Sequence, residues 1–202
     1  MTAPERREQI LDATRHIVDQ RGFHAVSIEA VARAAGITRP IVYEHFESLG
    51  GLLEALIRRE GARALGQLSA ALSLNDTRGS AREQLLGALR SYLLSVRGDP
   101  TTWRLVLMPP EGAPAALREQ IAVGRNRIVG QLAELVRPGF GPGSESPDPE
   151  LHARLLSAIA DESARLLLTD PQRFPVERLL AHAEWVLQRM EIGAAAGRSV
   201  VG

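Results

Sequence analysis

Residues 27–46, which run from Ser27 through Gly36-Ile37-Thr38 to Phe46, leave this chain few ways to fold. Ser27 stands where a hydroxyl can cap a helix, and Glu29 falls in the first turn, where the helix dipole favours an anion. Ile28, Val31 and Ala32 recur at the spacing of one helical face, and Ala34-Ala35 lets a partner helix come close. Gly36 can take the left-handed conformation that ends a helix and turns the chain. Thr38 then caps a second helix, with Pro40 in its first turn, where a missing N–H costs nothing. That helix reaches about Phe46, roughly 13 Å at 1.5 Å per residue, enough to lie across a DNA major groove. Two short capped helices around a tight turn are the layout of a helix-turn-helix reader, and they need a third helix to bury against.

Helical punctuation accounts for nearly all of the remainder, with no alternating strand pattern, so the expected fold is all-α. A first helix is expected over about residues 4–20, with Ile10, Leu11, Thr14, Ile17 and Val18 on one side and Gly22 ending it. A fourth starts after Ser48 and continues to about residue 72, followed by a polar break at residues 75–79. Ser80-x-x-Glu83 is a capping box for a fifth helix, which ends before Gly98. Asp99-Pro100 opens a short sixth helix that Pro109-Pro110 must stop. A seventh enters at Pro114 and ends near Arg137, and residues 138–149, rich in Pro and Gly, form a mobile loop. An eighth runs from Asp148-Pro149 to Thr169, and a ninth from Pro175 to about Ile192, with Gly193 beyond it. The expected organisation is a head of three helices over residues 1–47, a body of six over residues 48–193, and a disordered tail over residues 194–202.

At 202 residues the chain can bury a sizeable core, which must be mostly aliphatic because aromatics are only 4% of it. Having no cysteine, it has no disulfide, thiolate metal site or thiol nucleophile. No apolar run approaches ~18 residues and the N-terminal residues lack a signal-peptide core, so a soluble cytoplasmic protein without a membrane partner is expected. All 24 basic residues are Arg. Charge does not favour nucleic acid: residues 1–60 hold eight Arg against nine Asp and Glu, a net of −1. Attraction to DNA then depends on placement, with Arg6, Arg7, Arg33 and Arg39 near phosphates and the acids turned away.

One family resembles this pattern. Arg7-x-x-Ile10-Leu11-x-Ala13, Gly22-Phe23, Ser27, Val31-Ala32-x-x-Ala35-Gly36-Ile37-Thr38 and Tyr43-x-His45-Phe46-x-Ser48 resemble the head of TetR-family transcriptional regulators, over about a quarter of the chain. The resemblance implies an all-helical homodimer whose head binds a double-stranded DNA operator and whose body takes a small-molecule effector. It places base contacts on Arg39, Pro40 and Ile41 and counts Thr38 among the DNA-binding residues, with Arg39 able to donate twice to a guanine and Ile41 able to pack on a thymine methyl. A phosphate contact or a solvated arm is the plainer reading of Arg39. Tyr43 and His45 match positions used for the DNA backbone, although His45 can equally cap or pack locally, and Ser27 can add its N–H to a phosphate. Two places depart from the pattern. Leu49-Gly50-Gly51 stands where a lysine and an acidic residue are common, and Ile28-Glu29 where a hydroxyl and a polar or basic residue are common. Modest, salt-sensitive DNA affinity is therefore expected.

For the body, the resemblance implies that the last two helices pair with their copies, through Leu155, Ile159, Leu166, Leu180, Ala183 and Leu187. Ordinary packing within the chain explains the same stripes. Helices four to seven are then expected to enclose a lipophilic ligand, with Tyr92, Trp103, Leu107, Met108 and Asn126 as its lining. Each of these is also explained as plain core.

No catalytic constellation is present: five His are scattered without metal-ligand spacing, there is no phosphate-binding glycine loop, and no cofactor is implied. Asp161-Glu162 is an adjacent acidic pair whose side chains point apart on a helix, which reads as a solvated face or a dimer rim. The expectation is a ligand-responsive repressor and not an enzyme. The alternative is a sensor of the same fold that no longer reads DNA and acts through a protein partner.

Overall fold

The structure is a computed structural model that describes residues 1–73, 80–108, 115–138 and 146–196. These hold nine α-helices, one 3-10 turn and no strand. The expected break at residues 75–79, the stop at Pro109-Pro110, the entry at Pro114, most of the loop 138–149 and the tail beyond Ala196 lie outside the described residues. The chain divides into two compact units, Met1–Arg63 with Thr101–Ile121 and Ala64–Pro100 with Ala122–Gly202.

In the first unit, α1 (Ala3–Arg21) begins with a reciprocal cap. Thr2 N–H donates to Glu5 Oε2 at 2.7 Å, and Glu5 N–H returns to Thr2 Oγ1 at 3.4 Å. It ends at Gly22, whose φ of 80° is open to glycine at little cost. The buried Thr14 hydroxyl is satisfied by the Ile10 carbonyl at 2.8 Å, so a polar residue costs little in this core. A 3-10 turn, Phe23–Ala25, leads to α2 (Ile28–Ala35), where Ser27 Oγ accepts from Ala30 N–H at 3.1 Å. Gly36, at φ 65° and ψ 34°, closes α2: its N–H reaches Arg33 O at 3.2 Å and the Ile37 N–H reaches Ala32 O at 2.9 Å.

The third helix, α3 (Arg39–His45), is one residue shorter than expected, because Phe46 is extended at its C-cap. Thr38 occupies the N-cap position, but its side chain makes no capping bond, contrary to the hydroxyl cap expected there. Next comes α4 (Leu49–Ser73), with Ser48 Oγ accepting from Gly51 N–H at 3.0 Å. Ile10, Ile17, Val31, Val42, Phe46, Leu52 and Leu56 form one buried cluster from α1 to α4. The sixth helix, α6 (Pro100–Leu107), buries Trp103, Leu105 and Leu107.

A buried carboxylate organises this unit's polar interior. Glu60 is fully buried and accepts from the Thr102 hydroxyl and from Arg59 Nε, the latter at 3.0 Å. Arg59 Nη2 lies 2.9 Å and Arg15 Nε 3.5 Å from the same carboxylate. Arg59 Nη1 goes on to Glu8 at 2.9 Å and Asp12 at 2.8 Å, while Thr101 donates to Asp19. Burial works against the Arg59 cation, but the hydrogen bonds to Glu8 and Asp12 and the Glu60 charge outweigh it and raise its pKa.

In the second unit, Ser80 and Glu83 form the expected box at the start of α5 (Ala81–Gly98), holding the exposed Glu83 carboxyl below its ordinary pKa. The others are α7 (Ala115–Val136), α8 (Pro149–Thr169) and α9 (Val176–Ala196). Asp148 caps α8 by accepting from Leu151 N–H at 2.9 Å. Passing through Gly193 without stopping, α9 continues to Ala196; three alanines follow that glycine and favour helix enough to carry it on. The core joins Leu85, Ile128, Leu132, Val136, Ala153 and Leu187, with α5 packed on α8 and α9.

Candidate nucleic-acid interface and ligand cavity

The reading head presents one end of α3 to solvent. Val42 and Phe46 are buried beneath it, while Thr38, Arg39, Pro40 and Tyr43 stand exposed, and Ile41 and His45 are half-buried. The i, i+4 pair Val42 and Phe46 therefore anchors the helix, leaving the opposite stripe free for a partner. Ser27 spends its hydroxyl on its own helix.

The arginines are less free than their sequence positions suggest. Arg39 Nη1 lies 2.9 Å from Glu29 Oε1, with both side chains more than half exposed, so one acid faces the expected DNA surface instead of turning away. Arg7 is half-buried: its guanidinium sits 4.2 Å over the Phe46 ring, and Nη1 donates to the His45 carbonyl at 2.8 Å. It acts as a strut between α1 and the end of α3, since the Phe46 face and a helix-terminal carbonyl hold its guanidinium through the ring and through Nη1. Gln9 does the same for α2, donating to Ala35 O at 3.0 Å. Arg6 donates to Gln9 at 2.6 Å.

In the second unit, α5, α7, α8 and α9 line a cavity of about 900 Å³. Leu85, Leu89, Ile128, Leu132 and Leu156 make apolar walls, and Tyr92 and Asp161 supply polar atoms. Tyr92 donates to Asp161 Oδ1 at 3.3 Å, and Arg125 Nη2 donates to Oδ2 at 2.6 Å. Burial first, and then the Asp161 charge, push the Tyr92 phenol well above its usual pKa. Burial also raises Asp161, against the lowering pull of Arg125, Arg165 and the Tyr92 hydroxyl. The reading of Asp161-Glu162 as a solvated pair holds only for Glu162, which is exposed and paired with Arg165 at 3.3 Å.

Of the five expected lining residues, Tyr92 alone is on this wall. Trp103 and Leu107 are buried in the other unit, where the short α6 places its apolar face. Met108, one residue past α6, is 47% exposed, and Asn126 lies on the solvent side of α7 beside a shallow depression. The six residues expected at a dimer interface also divide. Leu155 and Ile159 are more than half exposed, Leu166 and Ala183 are half-buried, and Leu180 and Leu187 are buried within the chain. Leu151 and Trp185 are exposed as well. Trp185 stacks on His182 and carries Arg189 4.6 Å over its ring. Among the described residues no His, Asp and Glu cluster is arranged to hold a metal, and no helix is long and apolar enough to cross a membrane.

Comparison with known proteins places this geometry. Residues 10–56 match the family described as bacterial regulatory proteins, tetR family. The transcriptional activator FasR of Mycolicibacterium smegmatis is 25% identical over 174 residues, covering 86% of this chain and 76% of that one. A TetR-like transcriptional regulator from Rhodococcus sp. RHA1 superposes with a TM-score of 0.71 at 28% identity, over 91% of this chain and 94% of that one. The regulator FadR from Bacillus subtilis, solved in complex with stearoyl-CoA, shares the fold at a TM-score of 0.68 and 19% identity, over 89% and 96% of the two chains.

Proposed function

The chain belongs to the TetR family of transcriptional regulators, and from that premise we propose that it is a homodimeric repressor, released from a pseudo-palindromic operator by a small lipophilic ligand. The observation that carries the DNA reading is the exposed stripe of α3, with Thr38, Arg39, Pro40 and Tyr43 raised above the Val42–Phe46 anchor. Arg39 bonds to Glu29 through Nη1, which leaves Nε and Nη2 as a fork for a guanine edge. Tyr43 and His45 follow for the backbone, with Ile41 beside them and Ser27 offering a helix N-terminus. Residues 1–47 are the reading head in this account, and residues 48–193 bind the ligand and the second copy.

The outward stripe Leu151, Leu155 and Ile159, at successive intervals of four on α8, supports pairing of two copies through α8 and α9. A two-fold dimer then sets its heads on half-sites about one DNA turn apart. The cavity, at the upper end of the range for small-molecule sites and largely apolar, supports a lipophilic effector. The same fold holds an acyl-CoA in FadR. FasR, named an activator, gives the opposite sign of regulation a specific basis.

Arg39→Ala combined with Tyr43→Phe tests the reading. Operator affinity should fall at least about ten-fold while helicity and self-association persist. Unchanged affinity would remove α3 as the reader. Transcription in vitro from an operator-bearing template separates the signs: added protein lowers the transcript for a repressor and raises it for an activator.

A further inference from the structure

The cavity holds one carboxylate in a largely apolar wall, and its bonding selects among lipophilic ligands. The inference deepens the proposed ligand site and rests on it. Asp161 is 13% exposed at its side chain and contributes to the cavity surface. Arg125 engages one of its oxygens at 2.6 Å, and the Tyr92 hydroxyl reaches the other at a longer 3.3 Å. An ionised carboxylate offers about four acceptor sites, so these two bonds leave it able to accept from a third donor. Tyr92 gives its proton to Asp161 and so does not offer that donor to a ligand.

Charge sharpens the choice. Arg125 and Arg165 face Asp161 and balance it, so the site does not demand a cation. A ligand carboxylate placed here meets Asp161 as a like charge and has to take Arg125 from it. A ligand ester or ketone brings only acceptors to the Asp161 carboxylate, itself an acceptor. Both leave a buried polar atom unpaired, which costs more than an ordinary hydrogen bond gains. A hydroxyl does neither, and an amide N–H that donates to Asp161 offsets the acceptor its own carbonyl brings. The remaining charged groups on the cavity wall, Arg178 and His182, are exposed on α9, and Arg178 is engaged by the Arg173 carbonyl at 2.6 Å and the Phe174 ring.

We infer that Asp161, oriented by Tyr92 and Arg125, is the specificity determinant of the cavity and selects lipophilic molecules whose polar end donates a hydrogen bond, such as an alcohol or a primary amide, over acids and esters of the same chain.

The test is a matched series of dodecanol, dodecanamide, methyl dodecanoate and dodecanoate, titrated into the intact protein. Trp185 lies on the cavity wall and reports binding by fluorescence, with calorimetry as the check. The alcohol and the amide should bind at least about ten-fold more tightly than the ester and the acid. In Asp161→Leu, a substitution that keeps an apolar wall, the four should converge within about three-fold. Equal binding of all four to the unaltered protein, or preference for the ester or acid, overturns the selectivity while leaving the cavity a lipid site. Tighter binding of the acid alone would locate the anchor at Arg178. Saturation by none of the four, in protein shown to be folded, overturns the lipophilic site itself and the inference with it.

Discussion

Replacing Glu60 by alanine removes the charge on which Arg15, Arg59 and Thr102 converge. The carboxylate is fully buried, so it has already lost its water, and its partners are what compensate it. Breaking a buried pair from one side ordinarily costs about 3–5 kcal/mol. Two features argue for the low end here. The Arg15 and Arg59 side chains keep 28% and 21% of their exposure, and Arg59 retains Glu8 and Asp12. The expected loss for Glu60→Ala is therefore about 3 kcal/mol, or a melting temperature lower by about 6–12 °C for a chain of this length. Glu60→Gln keeps the volume and an acceptor for Thr102 but loses the charge, and should cost about 2 kcal/mol. Urea unfolding at fixed protein concentration reads both, since self-association would otherwise shift the midpoint. The chain has two tryptophans, and Trp103 is buried in the same unit as Glu60. In a Trp185→Phe background it therefore reports this unit alone. A Glu60→Ala variant within about 1 kcal/mol of its parent would refute the claim that the carboxylate organises the unit.

Other consequences are as direct. The raised Tyr92 pKa makes the unfolded chain lose its phenol proton first. Stability is then intact below about pH 10 and falls by about 1.4 kcal/mol per unit above it until the folded phenol also ionises. With no lysine or cysteine to titrate nearby, Tyr92→Phe should visibly flatten alkaline unfolding curves; an unchanged slope would place the phenol in water. Gly50→Ala should stabilise the protein by about 0.5–1 kcal/mol, since the added carbon meets only Ser48 Oγ at 3.6 Å and the unfolded chain loses freedom; a lower melting temperature would contradict this. Glu29→Gln should tighten DNA binding about three- to ten-fold at low salt by removing an anion 2.9 Å from Arg39, with the gain shrinking as salt is added. No change would mean that Arg39 does not face DNA.

What could be read in advance was what neighbours in sequence determine. The Ser80–Glu83 box, the Asp148 cap and the left-handed Gly36 are local chemistry, and each stands at its expected position. The buried carboxylates could not be read this way. Glu60 follows two arginines and looks like part of a solvated helix face; Thr102, 42 residues on, is what shows it to be interior. Asp161 finds its partners 36 and 69 residues away, and no spacing rule connects them. The Arg7 strut is hidden for a similar reason, because its contacts to Phe46 and the His45 carbonyl exist only once α1 and α3 have packed. The lining residues expected in α6 failed on another ground: Trp103 and Leu107 have the composition of a pocket wall, but apolar composition cannot say which cavity a helix faces.

The account stands or falls on sequence-specific DNA binding by the α3 stripe. Selection of bound duplexes from a random DNA pool with the purified, folded protein at low salt measures this without knowledge of the operator. The account predicts enrichment of one inverted repeat with half-sites about one turn apart, lost on Arg39→Ala. Recovery of no sequence from protein shown to be folded and self-associated would contradict it, and would identify a ligand sensor of this fold that acts without reading DNA.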